Sequence, residues 1–280
     1  MKIAILADIH GNRQALETVI THIDRWQPDQ VIVNGDTVNR GPCSLQCWQT
    51  IANRVTADGW QHTLGNHEGY HLDLLENGFK SELERQLFSP LVKAHQQLDG
   101  QVASFSQLPA QVSLYAPDGS ELRVTHASMQ GQRDSIFADS SLPTLREQIA
   151  PPPAVFVTSH THTAFQRRVD ETLLINTGSV GTPADQDVRA SYAQVVWENG
   201  RWQAEIIRLN YDREGTIRDY KESRFLTDDD YFTQLIFREW LDAAICLPGW
   251  MDLYYEDVAA GKIGLKTAVT QYLQQLDENK

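Results

Sequence analysis

The stretch Lys2-Ile3-Ala4-Ile5-Leu6-Ala7-Asp8-Ile9-His10-Gly11-Asn12 decides how this chain is read. An apolar run ends abruptly in Asp8 and His10, and Gly11 and Asn12 then lead into a helical pattern. Two side chains of metal-ligand type therefore stand at the carboxyl end of a buried strand, where open α/β sheets place their chemistry. Alone, Asp-x-His is a weak signal, because turns and helix caps use the same residues. The arrangement recurs four more times.

Asn12 suits a helix N-cap, and Leu16, Val19, Ile20 and Ile23 follow at helical spacing. Gln30-Val31-Ile32-Val33-Asn34 reads as a second buried strand, giving the strand-helix-strand unit of a parallel sheet, and it ends in Gly35-Asp36. A carboxylate there can bridge two cations. Arg40, four residues on, either forks onto phosphate oxygens or makes an ordinary surface ion pair. A third short strand, Gln61-His62-Thr63-Leu64, ends in Gly65-Asn66-His67-Glu68, which supplies a sharp turn, a neutral oxygen ligand and a proton donor.

Leu83, Leu87, Leu91, Ala94 and Leu98 imply one helix over roughly 82–98. His71 and His95 lack a partnering motif and read as surface or supporting residues. Segments 111–115 and 121–125 read as a hairpin, whose second strand ends in His126-Ala127-Ser128. Ala154-Val155-Phe156-Val157-Thr158 ends in Ser159-His160-Thr161-His162, two histidines able to face neighbouring metals. The run from Asn176 to Pro183 suits a loop with exposed backbone N–H groups, which steadies an anion or simply makes a turn. Asn199-Gly200 marks a further hairpin. Beyond Tyr211 the pattern is helical, with a stripe through Phe232, Leu235, Ile236 and Trp240 that Pro248-Gly249 would stop. A last helix carries Leu265, Ala268, Val269, Tyr272 and Leu273. Both stripes read as packing surfaces against the core or a subunit partner.

Composition narrows the function. Asp and Glu outnumber Lys and Arg 37 to 24, and the net charge of -13 disfavours a nucleic-acid polymer or an anionic membrane as partner. The apolar run before Asp8 is too short for a signal-peptide core, and no later run approaches a membrane span, so a cytoplasmic protein is expected. Three cysteines give no disulfide framework, and Cys43 and Cys47 read as buried thiols beside an apolar helix face rather than a metal pair.

The order Asp8-x-His10, Gly35-Asp36, Gly65-Asn66-His67-Glu68, His126, His160-x-His162 resembles the calcineurin-like metallophosphoesterase superfamily over positions 8 to about 190. The Asn176 to Pro183 loop is similar to the NPGSVGxP stretch of its small bacterial phosphodiesterase branch, with Thr177 in place of proline. The Gly35 to Pro42 segment and Glu68 look instead like the branch of phosphoprotein phosphatases and symmetrical diadenosine tetraphosphatases. The resemblance implies an α/β fold, a β-sandwich flanked by helices, spanning residues 1–212, with a C-terminal helical extension over 213–280. It implies that Asp8, His10, Asp36 and His162 hold one divalent metal and Asp36, Asn66, His126 and His160 a second. Manganese is expected first, with iron, zinc, cobalt, nickel or magnesium as the other candidates.

The implied reaction is in-line attack of a metal-bridging hydroxide on a small phosphate mono- or diester, a dinucleoside polyphosphate among them. His67 would protonate the leaving oxygen, and Arg40 would bind phosphate. Three residues depart from the pattern. Asn39 replaces the usual aspartate beside the catalytic histidine, while Ala127 and Ser159 stand where glycine is common. The competing readings are a serine/threonine phosphoprotein phosphatase and a non-catalytic metal-binding scaffold. The C-terminal helices are candidates for a homo-oligomer contact.

Overall fold

Ile3 and Ile5 alternate with Ala4 and Leu6, and a strand sends such neighbours to opposite faces. Because both sets are apolar, the strand must be covered on both sides. That requirement is met in the computed structural model, which describes residues 1–278. Its elements run β1 (Lys2–Leu6), α1 (Arg13–Trp26), β2 (Gln30–Asn34), α2 (Ser44–Asp58), β3 (Gln61–Thr63), α3 (Asn66–Asn77), α4 (Glu82–Leu87) and α5 (Ser89–Leu98). After a short 3-10 turn come β4 (Gln111–Tyr115), β5 (Glu121–Thr125), α6 (Leu142–Gln148), β6 (Val155–Thr158), β7 (Phe165–Val169), β8 (Thr172–Asn176), β9 (Ala190–Glu198) and β10 (Arg201–Leu209). Helices α7 (Arg213–Glu222), α8 (Tyr231–Asp242), α9 (Leu247–Ala259) and α10 (Leu265–Glu278) close the described chain.

Two five-stranded sheets form, ordered β10-β9-β1-β2-β3 and β4-β5-β6-β8-β7. In the first, β1, β2 and β3 are parallel, and in the second β5, β6 and β8 are. Ile3, Ile5 and Ile32 meet Leu122, Val124, Val155, Val157 and Ile175 between the sheets. Ala4, Leu6, Val31 and Val33 face outward and bury the apolar stripes of α1 and α2, Cys43 and Cys47 among them. The α/β sandwich flanked by helices is therefore the observed architecture. Both hairpins are present, β4 with β5 and β9 with β10.

Two expectations need correction. The single helix over 82–98 is two, α4 and α5, because Pro90 has no N–H to continue the ladder and falls in the first turn of α5. Pro248 does not stop α8, which ends at Asp242 with Ala243 left-handed; it starts α9 instead, again from the first turn. Of the two histidines read as surface or supporting residues, His71 is fully buried, its ring against Phe105 and its Nδ1 3.3 Å from His95 Nδ1.

The C-terminal helices pack against α1, α4 and α5. Asp219 of α7 pairs with Arg13 of α1 at 3.0 Å. Leu87 of α4 joins Phe232, Leu235, Trp250, Ala268 and Val269 in one cluster, and Ala94 of α5 joins Tyr220, Phe225 and Trp240 in another. No helix among the described residues is long and apolar enough to cross a membrane.

Candidate metal centre

The parallel strands of both sheets deliver their carboxyl ends to one rim, and all five expected loops meet there. Asp8 and His10 follow β1, Asp36 follows β2, Asn66 and His67 open α3 after β3, His126 follows β5, and His160 and His162 follow β6. Asp8, His10, Asp36, His160 and His162 hold φ of 53°, 48°, 54°, 65° and 58°, the left-handed region that non-glycine residues avoid. Each costs roughly 1–3 kcal/mol, a strain that persists at functional sites where the surroundings enforce it.

Close approach of the loops depends on glycines. A Cβ on Gly65 would lie 2.2 Å from Asp36 Oδ1, and one on Gly181 would lie 1.8 Å from the Ile9 carbonyl oxygen. The Asn176 to Pro183 loop is a brace. Its Val180 and Gly181 N–H groups donate to the Ala7 and Asp8 carbonyls at 3.0 and 2.9 Å, and Ser179 Oγ donates to the Asp8 carbonyl at 2.7 Å. Those backbone donors are committed to the Asp8 loop, not to an anion.

Side-chain ligand atoms converge in two overlapping groups, Asp8, His10, Asp36 and His162, and Asp36, His126 and His160, each within 4.8 Å. Asp36 belongs to both: its Oδ2 lies 3.6 Å from His10 Nε2 and 3.3 Å from His126 Nε2. Asn66 Oδ1 completes the second group, 2.9 Å from His126 Nε2 and 2.8 Å from His160 Nδ1.

The donors fit divalent cations on three observations. His10 Nδ1 faces the Val38 carbonyl at 3.2 Å and His162 Nδ1 the Thr182 carbonyl at 2.7 Å. A carbonyl only accepts, so each Nδ1 carries the proton, and the two Nε2 lone pairs then confront each other at 3.1 Å. Such a contact is repulsive unless a cation sits between them. Second, Asp8 Oδ1 is buried with no hydrogen-bond partner. Third, burial opposes charge on His126, yet Asp36 and Asp8 raise its pKa to about 10, which marks a negative field from the two carboxylates at this point. Burial, then His67 and His162, holds His10 well below its ordinary value, which favours the neutral ring that metal ligation would need. All the donors are oxygen and imidazole, a set suited to manganese, iron, cobalt or zinc.

His67 stands beside this cluster, Nε2 3.9 Å from Asp36 Oδ2. Its Nδ1 lies 2.7 Å from Asn39 Nδ2, while Asn39 Oδ1 accepts the Arg40 N–H at 2.7 Å. The Arg40 bond fixes the amide orientation, so Asn39 donates to Nδ1 and the His67 proton sits on Nε2. Burial lowers the His67 pKa to about 3 against the opposing pull of Asp36. Arg40 is present at the rim, but its Nη2 pairs with the carboxylate of Glu239 on α8, and its Nε has no hydrogen-bond partner.

Sequence reasoning gave Glu68 no structural task. It is fully buried, and its carboxylate accepts the N–H groups of Asp36 and Thr37 at 2.8 Å and of Gly65 at 3.1 Å, clamping the β2 loop to the start of α3. The GNHE run was the available signal. Ser159 Oγ accepts from Asn34 Nδ2 at 2.9 Å and lies 3.0 Å from Thr177 Oγ1, so this departure from glycine ties β2 to the bracing loop.

A sandwich whose strand ends gather Asp, Asn and His around a shared aspartate defines the metallophosphoesterase class, and residues 1–200 match the calcineurin-like phosphoesterase superfamily domain. The chain belongs to that family. It is 34% identical over 85 residues to an uncharacterized metallophosphoesterase of Campylobacter jejuni, a match covering 27% of this chain and 23% of that protein's length. A metallophosphoesterase structure from Sphaerobacter thermophilus superposes with a TM-score of 0.69 at 21% identity, covering 87% of this chain and all of that one. A hypothetical protein of Pyrococcus horikoshii gives 0.72 at 16%, covering 88% and 99%. At these identities the structures show a shared fold.

Proposed function

We propose that the chain is a metal-dependent hydrolase of small phosphate mono- or diesters, nucleotides and dinucleoside polyphosphates among them, using two divalent ions, manganese first. The observation that carries this reading is the pair of ligand groups sharing Asp36. Asp8, His10, Asp36 and His162 would hold one ion, and Asp36, Asn66, His126 and His160 the other. Bound there, the cations would activate water for attack on phosphorus and neutralise phosphate oxygens.

The remaining steps belong to the chain. Arg40, with Nη2 engaged by Glu239, would supply a guanidinium charge at the rim to phosphate. His67 presents Nε2–H to the leaving oxygen as a neutral hydrogen-bond donor, because Asn39 donates to Nδ1 and leaves no acceptor for an imidazolium proton. A neutral donor stabilises developing charge but transfers its proton poorly, so the chemistry favours aryl esters and phosphoanhydrides over simple alkyl phosphates.

The test is hydrolysis of bis(p-nitrophenyl) phosphate and p-nitrophenyl phosphate by chelator-treated protein, with manganese added back. Turnover should return as up to two equivalents bind, and Asp36→Asn should lower both stoichiometry and rate. Failure to bind metal would overturn the ligand assignment. Metal binding without cleavage of these esters or a dinucleoside polyphosphate would favour the scaffold reading.

A further inference from the structure

A cavity of about 540 Å³ opens directly beside the candidate centre, with Asn39, Arg40 and His67 forming its base. One wall comes from α3 to α5, through Tyr70, Leu83, Phe88 and Leu91, and the other from α8 and α9, through Phe232, Ile236, Met251 and Tyr255. We infer that this cavity receives the apolar part of the substrate's leaving alcohol, which makes the substrate class phosphoesters of a bulky aromatic or aliphatic alcohol. The inference rests on the hydrolase reading and adds to it the identity of the group released.

Three observations carry it. The cavity has the size of a small-molecule site. Its walls keep large apolar surface open, with Phe88 40%, Met251 37% and Tyr255 38% exposed around one opening. Two of the polar groups along it serve the protein: Ser81 Oγ caps α4 by accepting the Glu84 N–H at 3.0 Å, and Glu84 accepts the Lys80 backbone N–H. Leu83, Phe88, Leu91, Phe232, Ile236 and Met251 dominate the lining, so hydrocarbon gains from burial here. His67 fixes which ester arm enters. It lines the cavity and reaches toward Asp36, so the oxygen it donates to lies at the junction and the carbon behind that oxygen points into the apolar walls.

The experiment uses phenyl, 4-propylphenyl and 4-hexylphenyl esters, as monophosphates and as methyl phosphodiesters, with the manganese-loaded protein. Para-alkyl chains lengthen the apolar group while barely changing the acidity of the phenol. The expected result is a rise in kcat/KM of about threefold per added methylene until the walls are filled, flattened in both Met251→Glu and Tyr255→Glu. Binding of the matching 4-alkylphenylphosphonates, followed by calorimetry, should show the same trend in Kd. Hydrolysis with no length dependence, or a slope that survives in both variants, overturns the cavity assignment and leaves the hydrolase standing. If no ester is cleaved but phosphonate affinity rises with length and falls in the variants, the hydrolase reading fails and the apolar site remains. Absence of length dependence in binding as well removes it.

Discussion

Glu239, on a C-terminal helix 199 residues from Arg40, holds that arginine at the edge of the candidate centre. Its Oε2 takes the guanidinium, and its Oε1 accepts the Cys246 and Leu247 N–H groups at 2.8 Å each. The carboxylate thus joins the turn into α9 to the loop after β2. In Glu239→Gln the amide oxygen can keep the two N–H bonds while the amide nitrogen loses the arginine. We expect Glu239→Gln and Arg40→Ala each to destabilise, and a double-mutant cycle in urea to return a coupling of about 2 kcal/mol, since the pair is largely buried. Additive effects would mean that the two side chains do not interact in solution.

Asn39 predicts a particular leaving-group dependence. In Asn39→Asp one carboxylate oxygen can still accept the Arg40 N–H, and the other can accept a proton-bearing His67 Nδ1, which permits the imidazolium that Asn39 disfavours. Rates for poor leaving groups should rise by roughly 100-fold relative to nitrophenyl esters, the low end of the usual range for general acid catalysis. The measurement is the slope of log kcat/KM against leaving-group pKa. It should become shallower in the variant, and an unchanged slope would remove His67 from contact with the leaving oxygen.

Glu68 predicts a loss of both stability and metal affinity. Its Oε1 accepts from Thr37 and Val38 and its Oε2 from Asp36 and Gly65, so Glu68→Gln must turn an NH2 toward backbone donors. An unsatisfied buried donor pair costs about 1–3 kcal/mol. Asp36 sits on the loop so disturbed, and manganese affinity should fall with the urea midpoint. A stable variant with weakened metal binding would show that the clamp shapes the Asp36 loop more than it supports the fold.

Much of this architecture is legible in the sequence, for a local reason. Strands ending in Asp8, Asp36, Asn66, His126 and His160 announce themselves because apolar runs stop at residues with ligand chemistry, and parallel topology brings such ends to one rim. The partners that orient the candidate ligand side chains are another matter. Val38 and Thr182 act through backbone carbonyls toward His10 and His162, and any residue type there supplies one. Glu239 is equally hidden, because nothing in its helical stripe distinguishes an inward carboxylate from a solvated one. Pro248 is ambiguous in sequence, since proline both ends helices and begins them, and the packing of Trp250 on Phe232 accompanies the second outcome. The pairing of the C-terminal helices with α4 and α5 is a long-range contact that periodicity does not encode.

His62 predicts how stability changes with pH. It lies on β3, buried, with Nε2 3.0 Å from Thr37 Oγ1 and its ring 5.3 Å from Trp48, and burial lowers its pKa to about 3. The unfolded chain titrates this histidine near its ordinary 6.5, so between the two values the unfolded state binds the extra proton. Stability from the neutral ring is therefore fully present above pH 6.5 and is lost as the pH falls toward 3, by up to ~1.4 kcal/mol per pH unit. Urea midpoints at pH 7.5, 6 and 5, in excess chelator so that metal release adds nothing, should fall more steeply for the native sequence than for His62→Gln. Glutamine keeps a partner for Thr37 but cannot titrate, and the other histidines with lowered values, His10, His67, His71, His95 and His160, contribute equally to both proteins. The difference in slope should approach one proton, and parallel slopes would mean that His62 is solvated and free to charge in the folded state.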